Sequence, residues 1–333
     1  MQRAIRVLII DDSALVRRIL TEGLSRDPQI EVVGSAPDPY AAREEIARAR
    51  PDVLTLDVEM PRMDGVQFLR FLMPQYPLPT IMVSAVTEKG RSITVQALEA
   101  GAVDFVQKPS AESHQSMESV LMELRQKIKT AAKIDVSHWK GRQPAAPAPS
   151  PSPASRSVPI NVNLANKVIA IGASTGGVEA INNVMSRLPP TLPGVVIVQH
   201  MPAGFTNTFA RRLNELTQLN VKEAATGDVI RPGQVLLAQG DHHLRVRRIS
   251  GQLQVECFQG EKVCGHRPSV EVLFRSVAEV LGSQAIGVML TGMGSDGADG
   301  MVAMRKAGAR TLAQDEKSSV VFGMPAEAYK RGG

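Results

Sequence analysis

The sequence is poor in cysteine and aromatic residues and has no long hydrophobic run, and each shortage excludes a class of protein. Two cysteines among 333 residues are too few for a disulfide framework and suit a reducing cytoplasm. Aromatic residues make up 4% of the chain and the formal net charge is only +5, so we expect no nucleic-acid binding. Because no apolar run reaches membrane-spanning length and the N-terminus lacks the hydrophobic region of a signal peptide, we expect a cytoplasmic protein without membrane insertion.

The two cysteines lie near a histidine, which raises the question of a zinc site. Cys257, Cys264 and His266 are close in sequence, but two Cys and one His at this spacing match no structural zinc pattern. We therefore favour inert thiols in a strand and a loop over a metal site.

Acidic residues are absent from Val136 to Val178, and this segment divides the chain. Its first half interleaves prolines with Ala and Ser, a composition that cannot bury a core or hold a helix. We predict an extended, flexible linker over residues 132–166, between domains at residues 1–131 and 167–333. The only tryptophan, Trp139, lies near the start of the linker, either as an anchor on a domain surface or as the end of a short helix.

Short apolar runs alternate with helical periodicity in the first domain. This alternation predicts a flavodoxin-like (βα)5 fold, with a parallel sheet and helices on both of its faces. The predicted strands are Val7–Ile10, Glu31–Ser35, Val53–Leu56, Thr80–Val83 and Phe105–Val106.

Acidic residues follow these strands, and parallel strands bring their carboxyl ends to one edge of a sheet. Asp11 and Asp12 follow the first strand and Asp57 ends the third, so the three carboxylates repel one another unless a divalent cation lies between them. Oxygen ligands in an incomplete cage suit Mg²⁺, and Asp57 would then act as a nucleophile toward a phosphoryl donor. Ser84 and Lys108, at the ends of the fourth and fifth strands, would bind the phosphoryl oxygens. Helix capping is the alternative, and it accounts for Asp12 alone.

This set resembles the response-regulator receiver family, which has the same residues in the same order at closely similar spacing. The family's Asp-Gly after Met-Pro is present as Asp64-Gly65. The resemblance implies phosphorylation of Asp57 by a histidine kinase, with Ser84 and Lys108 as the switch residues. It also implies a Mg²⁺ site, with ligands from Asp11, Asp12, Asp57 and the backbone of Glu59.

A doubly wound parallel sheet with a β-ribbon insertion is predicted for the second domain, where strands and helices again alternate. The arginines of the ribbon, Arg245, Arg247 and Arg248, are expected on a solvated face. The predicted sheet strands are Val168–Ile171, Val195–Val198, Val221–Ala224, Ala285–Leu290 and Ala309–Leu312, and the ribbon strands are Val235–Leu237, Leu244–Arg247 and Leu253–Glu256.

Three Gly-containing or Pro-containing turns in this domain each place a reactive side chain after an apolar run. They hold Ser174 in Ile-Gly-Ala-Ser-Thr-Gly-Gly, His200 in Val-Gln-His-Met-Pro and Asp296 in Leu-Thr-Gly-Met-Gly-Ser-Asp-Gly. If the three runs are neighbouring parallel strands, a hydroxyl, an imidazole and a carboxylate meet at one sheet edge. These are a nucleophile, its base and the acid that orients the base.

Two other functions compete with this interpretation. Residues 172–177 are glycine-rich, as are loops that cradle a nucleotide phosphate, but the segment lacks the lysine of a P-loop and matches the dinucleotide pattern loosely. The second domain could instead be a non-catalytic binding module that the receiver switches.

A receiver, a Pro-rich linker and an α/β domain with these motifs and with His266-Arg-Pro-Ser-Val270 resemble one family over nearly the whole chain. It is the chemotaxis protein-glutamate methylesterase/glutamine deamidase family (CheB). The resemblance implies a phosphorylation-activated carboxylic ester hydrolase that removes methyl esters from glutamates on the cytoplasmic helical region of chemoreceptors and deamidates specific receptor glutamines. The resemblance also implies that the hydrolytic site needs no cofactor. The matching catalytic positions are Ser174, His200 and Asp296, with the Met293 backbone N–H in the oxyanion hole and Thr175 in the nucleophile turn.

The chain departs from the family in two places. Gln239-Gly240 stands where the family often has Pro-Gly before an acidic residue, here Asp241. The sequence also stops soon after Gly323-Met324-Pro325, where family members usually continue through a last strand and helix, so the C-terminus is either shortened or divergent.

The resemblance to this family further implies that the unphosphorylated receiver obstructs the cleft that holds Ser174.

Overall fold

The chain folds, in a computed structural model, into two compact units, residues 1–145 and 146–333. The structure describes residues 3–84, 87–108, 116–141, 164 and 166–333. The proline-rich part of the predicted linker lies outside the described residues. No helix in the described ranges is long and apolar enough to cross a bilayer.

Five strands and five helices alternate along the N-terminal unit. The strands form one parallel sheet in the order β2-β1-β3-β4-β5, which confirms the predicted (βα)5 fold. The elements are β1 (Ile5–Ile10), α1 (Ala14–Leu24), β2 (Ile30–Ala36), α2 (Pro39–Ala49), β3 (Val53–Asp57), α3 (Gly65–Gln75), β4 (Thr80–Ser84), α4 (Glu88–Glu99), β5 (Asp104–Gln107) and α5 (Met117–Ala131).

Side-chain caps fix where these helices begin. The Ser13 hydroxyl accepts the Val16 N–H at the start of α1, so Ser13 and not Asp12 caps this helix. The carboxylate of Asp64 forms a reciprocal capping box with Gln67 at the start of α3. The capping alternative for Asp12 is therefore wrong, since a neighbouring hydroxyl already satisfies the helix N-terminus.

The first residues of the predicted linker pack on the N-terminal unit. A 3-10 helix, Ser137–Trp139, follows α5, and Val136 before it is buried. The Trp139 ring lies against Gly101 so closely that an added Cβ there would be 2.9 Å from it. The Gly141 N–H donates to the Pro74 carbonyl at 2.9 Å. Residues 132–141 are thus not extended, because their apolar side chains find cover, and Trp139 is both a short-helix residue and an anchor.

The C-terminal unit is built on a six-stranded parallel sheet in the order β13-β12-β6-β7-β9-β8. Its strands are β6 (Val168–Ala173), β7 (Gly194–Gln199), β8 (Asn220–Glu223), β9 (Gln234–Leu237), β12 (Ala285–Met289) and β13 (Arg310–Ala313), with the antiparallel pair β10 (His243–Ile249) and β11 (Gln252–Phe258). The helices are α6 (Gly177–Met185), α7 (Phe205–Leu216), α8 (Val270–Leu281), α9 (Ala298–Lys306) and α10 (Met324–Lys330).

One predicted strand belongs to the sheet and not to the ribbon. Val235–Leu237 lies in β9, parallel to both β7 and β8, and its residues are fully buried. A buried run of this length suits a sheet interior better than a half-solvated ribbon. The ribbon is therefore a two-stranded hairpin, on which Arg245 and Arg247 both bond to Glu256 across the pair.

Candidate active site and phosphorylation site

The structure brings Ser174, His200 and Asp296 together at the carboxyl edge of the second sheet. They follow β6, β7 and β12, which are adjacent strands. His200 lies between the other two, with 3.1 Å from its Nδ1 to the Ser174 Oγ and 2.8 Å from its Nε2 to the Asp296 Oδ2. A carboxylate only accepts hydrogen bonds, so Nε2 carries the proton and Nδ1 is left to accept from the Ser174 hydroxyl. The arrangement can pass a proton from the hydroxyl to the imidazole.

Asp296 is held by the N-terminus of helix α8. Its carboxylate is 2% exposed and accepts from the Ser269 hydroxyl at 2.7 Å and from the backbone N–H groups of Val270 and Glu271 at 2.7 and 3.1 Å. Burial raises the pKa of Asp296, but the bond and charge of His200, with the Ser269 and Val270 donors, outweigh burial and lower it. Asp296 is therefore a fixed, ionised acceptor at neutral pH.

The nucleophile turn is fixed by its backbone. The Ser174 N–H donates to the Thr291 carbonyl at 3.0 Å, and the Ser174 carbonyl accepts from the Gly177 N–H at 2.7 Å and from the side-chain amide of Gln199 at 2.9 Å. Gly176 has φ +77, a left-handed conformation that favours glycine.

The glycines of this turn make room for side chains. An added Cβ would lie 2.2 Å from Val270 at Gly172, 2.5 Å from Val320 at Gly176 and 2.1 Å from Gln199 at Gly177. Two backbone N–H groups of the segment are already used within the protein. Packing thus accounts for the glycines, which argues against a phosphate cradle at residues 172–177.

Thr175 and Met293 lie in loops that a later segment braces. Thr291 donates its hydroxyl toward the Thr175 carbonyl at 3.0 Å and accepts the Val321 N–H at 2.9 Å. The carbonyl of Gly292, next to Met293, accepts from the N–H groups of residues 323 and 324. Met293 is 43% exposed. The oxyanion role of the Met293 N–H and the turn-shaping role of Thr175 stay predictions.

Two further residues contact the candidate catalytic groups, and the sequence alone assigned them no role there. The buried amide of Gln199 donates to the Ser174 carbonyl, and its place immediately before His200 was the available signal. His266 was considered only as a zinc ligand, yet its ring stacks on the His200 ring with 3.8 Å between centroids and 11° between planes. Its position in the His-Arg-Pro-Ser-Val motif was the signal.

The thiols fit the inert interpretation. Burial raises the pKa of Cys257 to about 11, and its Sγ lies 3.6 Å from the Ala224 carbonyl. Cys264 is an exposed residue, but partial burial of its thiol raises its pKa, and nearby carboxylates raise it further. Within the described ranges, Asp11, Asp12 and Asp57 form the group with metal-site geometry, and Cys257, Cys264 and His266 do not.

The N-terminal sheet edge carries the acidic cluster. One oxygen from each of Asp11, Asp12 and Asp57 lies within 4.8 Å of the others. The Lys108 Nζ is 2.8 Å from the Asp11 Oδ2 and 2.9 Å from the Asp57 Oδ2. Burial raises the pKa of Asp57 to about 6, against the lowering effect of the Lys108 charge. An all-carboxylate donor set is the kind that Mg²⁺ prefers.

Ser84 ends β4, the strand next to β3 and its Asp57, and Glu59 lines a surface pocket together with Asp12. The Ser84 hydroxyl is fully buried and accepts from the Thr94 hydroxyl of helix α4 at 2.6 Å. The Thr87 hydroxyl lies 3.5 Å from the Glu59 carboxylate. The phosphoryl-binding role of Ser84 and the metal-binding role of the Glu59 backbone stay predictions.

Comparison with known proteins gives consistent matches over both units. A family model described as CheB methylesterase matches residues 169–333, and one described as response regulator receiver domain matches residues 7–118. A protein-glutamate methylesterase/protein-glutamine glutaminase from Syntrophotalea carbinolica is 60% identical, covering 100% of this chain and 94% of that protein. A protein of the same name from Sulfurimonas denitrificans is 52% identical, covering 99% and 93%. The solved CheB methylesterase catalytic domain of Thermotoga maritima is 38% identical with a TM-score of 0.49, covering 50% of this chain and 88% of that one.

Proposed function

This chain belongs to the CheB methylesterase family and carries a response regulator receiver domain, and on this basis we propose its function. The chain is a hydrolase that removes methyl esters from glutamate side chains of chemoreceptors and deamidates specific receptor glutamines, under control of phosphorylation at Asp57. The observation that carries this proposal is the continuous hydrogen-bond chain from Ser174 through His200 to Asp296.

The geometry supports an acyl-enzyme mechanism. As the Ser174 Oγ attacks the ester carbonyl carbon, its proton passes to the His200 Nδ1, and the Nε2–H bond to Asp296 stabilises the resulting imidazolium. The tetrahedral intermediate collapses when Nδ1 returns the proton to the leaving methoxide, which departs as methanol. A water molecule then gives a proton to Nδ1 as its oxygen attacks the acyl carbon. The bond from the acyl carbon to the Ser174 Oγ breaks as Nδ1 returns this proton to Oγ, and the product acid leaves and ionises to the carboxylate. With a glutamine substrate the first leaving group is ammonia.

The oxyanion of the tetrahedral intermediate needs donors, and we assign the Met293 N–H to this role. Its loop is braced by backbone bonds to residues 321–324, so the donor direction is set before substrate arrives. Thr175, next to the nucleophile, belongs to the same pre-formed turn.

We propose that Asp11, Asp12 and Asp57, with the backbone of Glu59, hold Mg²⁺ when the receiver is phosphorylated. The ion would neutralise charge on the transferring phosphoryl group. Asp57 accepts this group from a histidine kinase, and Lys108 pairs with its charge. Ser84, now bonded to Thr94, would turn toward the phosphoryl oxygens. We place the protein in the cytoplasm, where both the kinase and the receptor helices are found.

Methanol release from methylated receptor membranes tests the proposal. The full-length protein should release methanol, and a phosphodonor with Mg²⁺ should raise the rate. Ser174→Ala serves as the inactive reference. A folded protein that binds receptors and releases no methanol under either condition would instead support the non-catalytic binding function.

A further inference from the structure

We propose that His266 is a positioning residue that holds the imidazole of His200 in its reactive orientation. The inference rests on the proposed hydrolytic role of Ser174, His200 and Asp296 and adds a residue to that site. Its starting point is the parallel stack of the two imidazole rings, with centroids 3.8 Å apart and planes 11° apart.

The two hydrogen bonds of His200 leave one motion unrestrained. They run to the Ser174 Oγ and the Asp296 Oδ2 from the two ring nitrogens, so together they define a line. The ring can tilt about that line while both distances stay nearly constant, and the bonds weaken as their angles fall. A flat neighbour in van der Waals contact with one face prevents tilting toward that side. His266 supplies such a neighbour.

His266 is itself held by a tight turn. The Val263 N–H donates to the His266 carbonyl at 3.1 Å, and the His266 N–H donates to the Val263 carbonyl at 3.0 Å. Between them Cys264 and Gly265 have φ +52 and +82, the pair of positive angles that a type I′ turn requires. This turn leaves little freedom at the His266 backbone.

The next residue anchors the turn to two neighbouring segments. The Arg267 guanidinium donates to the Gly260 carbonyl and, through its Nε at 3.0 Å, to the Asp241 carboxylate. The Asp241 N–H in turn donates to the Arg267 carbonyl at 3.2 Å. The backbone on both sides of His266 is therefore fixed.

The same segment continues directly to the groups that hold the acid. Ser269 and Val270 donate to Asp296, while His266 contacts the base. One stretch of chain, residues 263–271, thus sets the orientation of both His200 and its partner. This is the geometry expected of a structure that pre-organises a catalytic base.

A flat ring is the property that the proposal requires. Phe at position 266 keeps a flat face, Leu keeps apolar bulk without one, and Ala removes both. The rate of Ser174 acylation should therefore depend on a flat side chain at position 266. We expect the Phe variant to be close to wild type and the Leu and Ala variants to be slower by about 10- to 100-fold, because a displacement of a catalytic group by about 1 Å can cost about 100-fold.

Labelling of Ser174 by a fluorophosphonate probe in the full-length protein measures this without any receptor. The loss should fall on the maximal labelling rate and not on the probe concentration at half-saturation, because positioning acts on bond formation. His138→Ala, an exposed histidine of the other unit, is the matched control and should label like wild type. Circular dichroism establishes that each variant is folded.

Two results would overturn the proposal: a folded His266→Ala protein that labels at the wild-type rate, or a His266→Leu protein that labels as fast as His266→Phe. If the Ala variant does not fold, the Leu and Phe pair decides. If Ser174→Ala labels as fast as wild type, the triad itself is wrong. If only the position-266 variants match wild type, this inference alone fails.

Discussion

The carboxyl edges of the two sheets each present a buried aspartate, and the two aspartates are held in opposite ways. Asp57 receives one backbone N–H, from Val58, and the ammonium of Lys108, and burial raises its pKa to about 6. Asp296 is as deeply buried, but it receives three donors from the start of α8 besides His200, and its pKa is lowered.

The difference shows that the donors around a carboxylate decide its chemistry more than its place in the fold. Burial acts on both residues in the same direction. Where donors fill the lone pairs, as at Asp296, the carboxylate is a fixed acceptor for a neighbouring base. Where few donors are present and two further carboxylates lie close, as at Asp57, the group is suited to binding a cation and gaining a covalent bond.

Removing the nucleophile at the edge of the second sheet should have the largest effect. Ser174→Ala deletes the nucleophile while leaving the bonds of Asp296 in place, so we expect ester hydrolysis to fall by about 10⁵- to 10⁶-fold, with residual rate from binding and the oxyanion donors. Steady-state methanol release measures this. Ser186→Ala, an exposed serine after α6, is the control. Hydrolysis within tenfold of wild type in folded Ser174→Ala would contradict the mechanism.

Asp57→Asn should remove the reactive carboxylate of the other sheet edge. We expect no phosphorylation by a small-molecule phosphodonor, and chelation of Mg²⁺ should have the same effect on wild type. Mass spectrometry of the intact protein measures the added phosphoryl group. Asp38→Asn keeps its function as the cap of α2 and should be phosphorylated normally. Equal phosphorylation of Asp57→Asn and wild type would show that another residue is the acceptor.

Asp296→Asn tests the acceptor role at the hydrolytic edge. Both oxygens of the Asp296 carboxylate accept backbone N–H groups, Oδ2 from Val270 and Oδ1 from Glu271, and an amide keeps only one accepting oxygen. Where the amide NH2 faces His200 it donates to Nε2, so the His200 proton moves to Nδ1 and the base is lost. A decrease of about 10³- to 10⁴-fold in kcat follows from the wrong tautomer. Asp299→Asn, which loses only an exposed pairing with Arg331, is the control. A decrease smaller than tenfold would mean that Asp296 has only a structural role.

The smallest expected effect concerns how one unit controls the other. If the unphosphorylated receiver restrains the hydrolase, removing residues 1–145 should raise basal hydrolysis by about 5- to 150-fold, the range of typical regulatory coupling, and abolish the response to a phosphodonor. Methanol release by the truncated and full-length proteins measures this. Equal basal rates would reject this restraint and would indicate that the receiver acts by recruiting the enzyme to its substrate.

The sequence predicted the elements whose patterns are local. Each predicted strand of the N-terminal sheet lies within an observed strand or matches its centre, because buried parallel strands leave continuous apolar runs. The grouping of Val235–Leu237 was wrong because strand order is a long-range property that a short run does not encode. For the same reason, the sequence could not decide whether Trp139 is a surface anchor or the end of a short helix. Its packing on Gly101 is a contact between distant parts of the chain.

The candidate site shows the same division. Reactive residues in glycine-rich turns could be found by their chemistry and by resemblance. The stack of His266 on His200 and the donation by the amide of Gln199 could not, since each depends on three-dimensional contacts between segments that are separate in the chain or between side chain and backbone.

The packing of Val320 and Val321 against the nucleophile turn has a consequence for synthesis of the protein. Val320 lies against Gly176, and Val321 bonds to Thr291, which in turn bonds to Thr175. A ribosome makes Ser174 long before it makes these valines, so a nascent chain carries its reactive serine in an unbraced turn. The hydrolase should therefore be inactive during translation. A product that terminates before Val320 should not hydrolyse esters even when its sheet has formed.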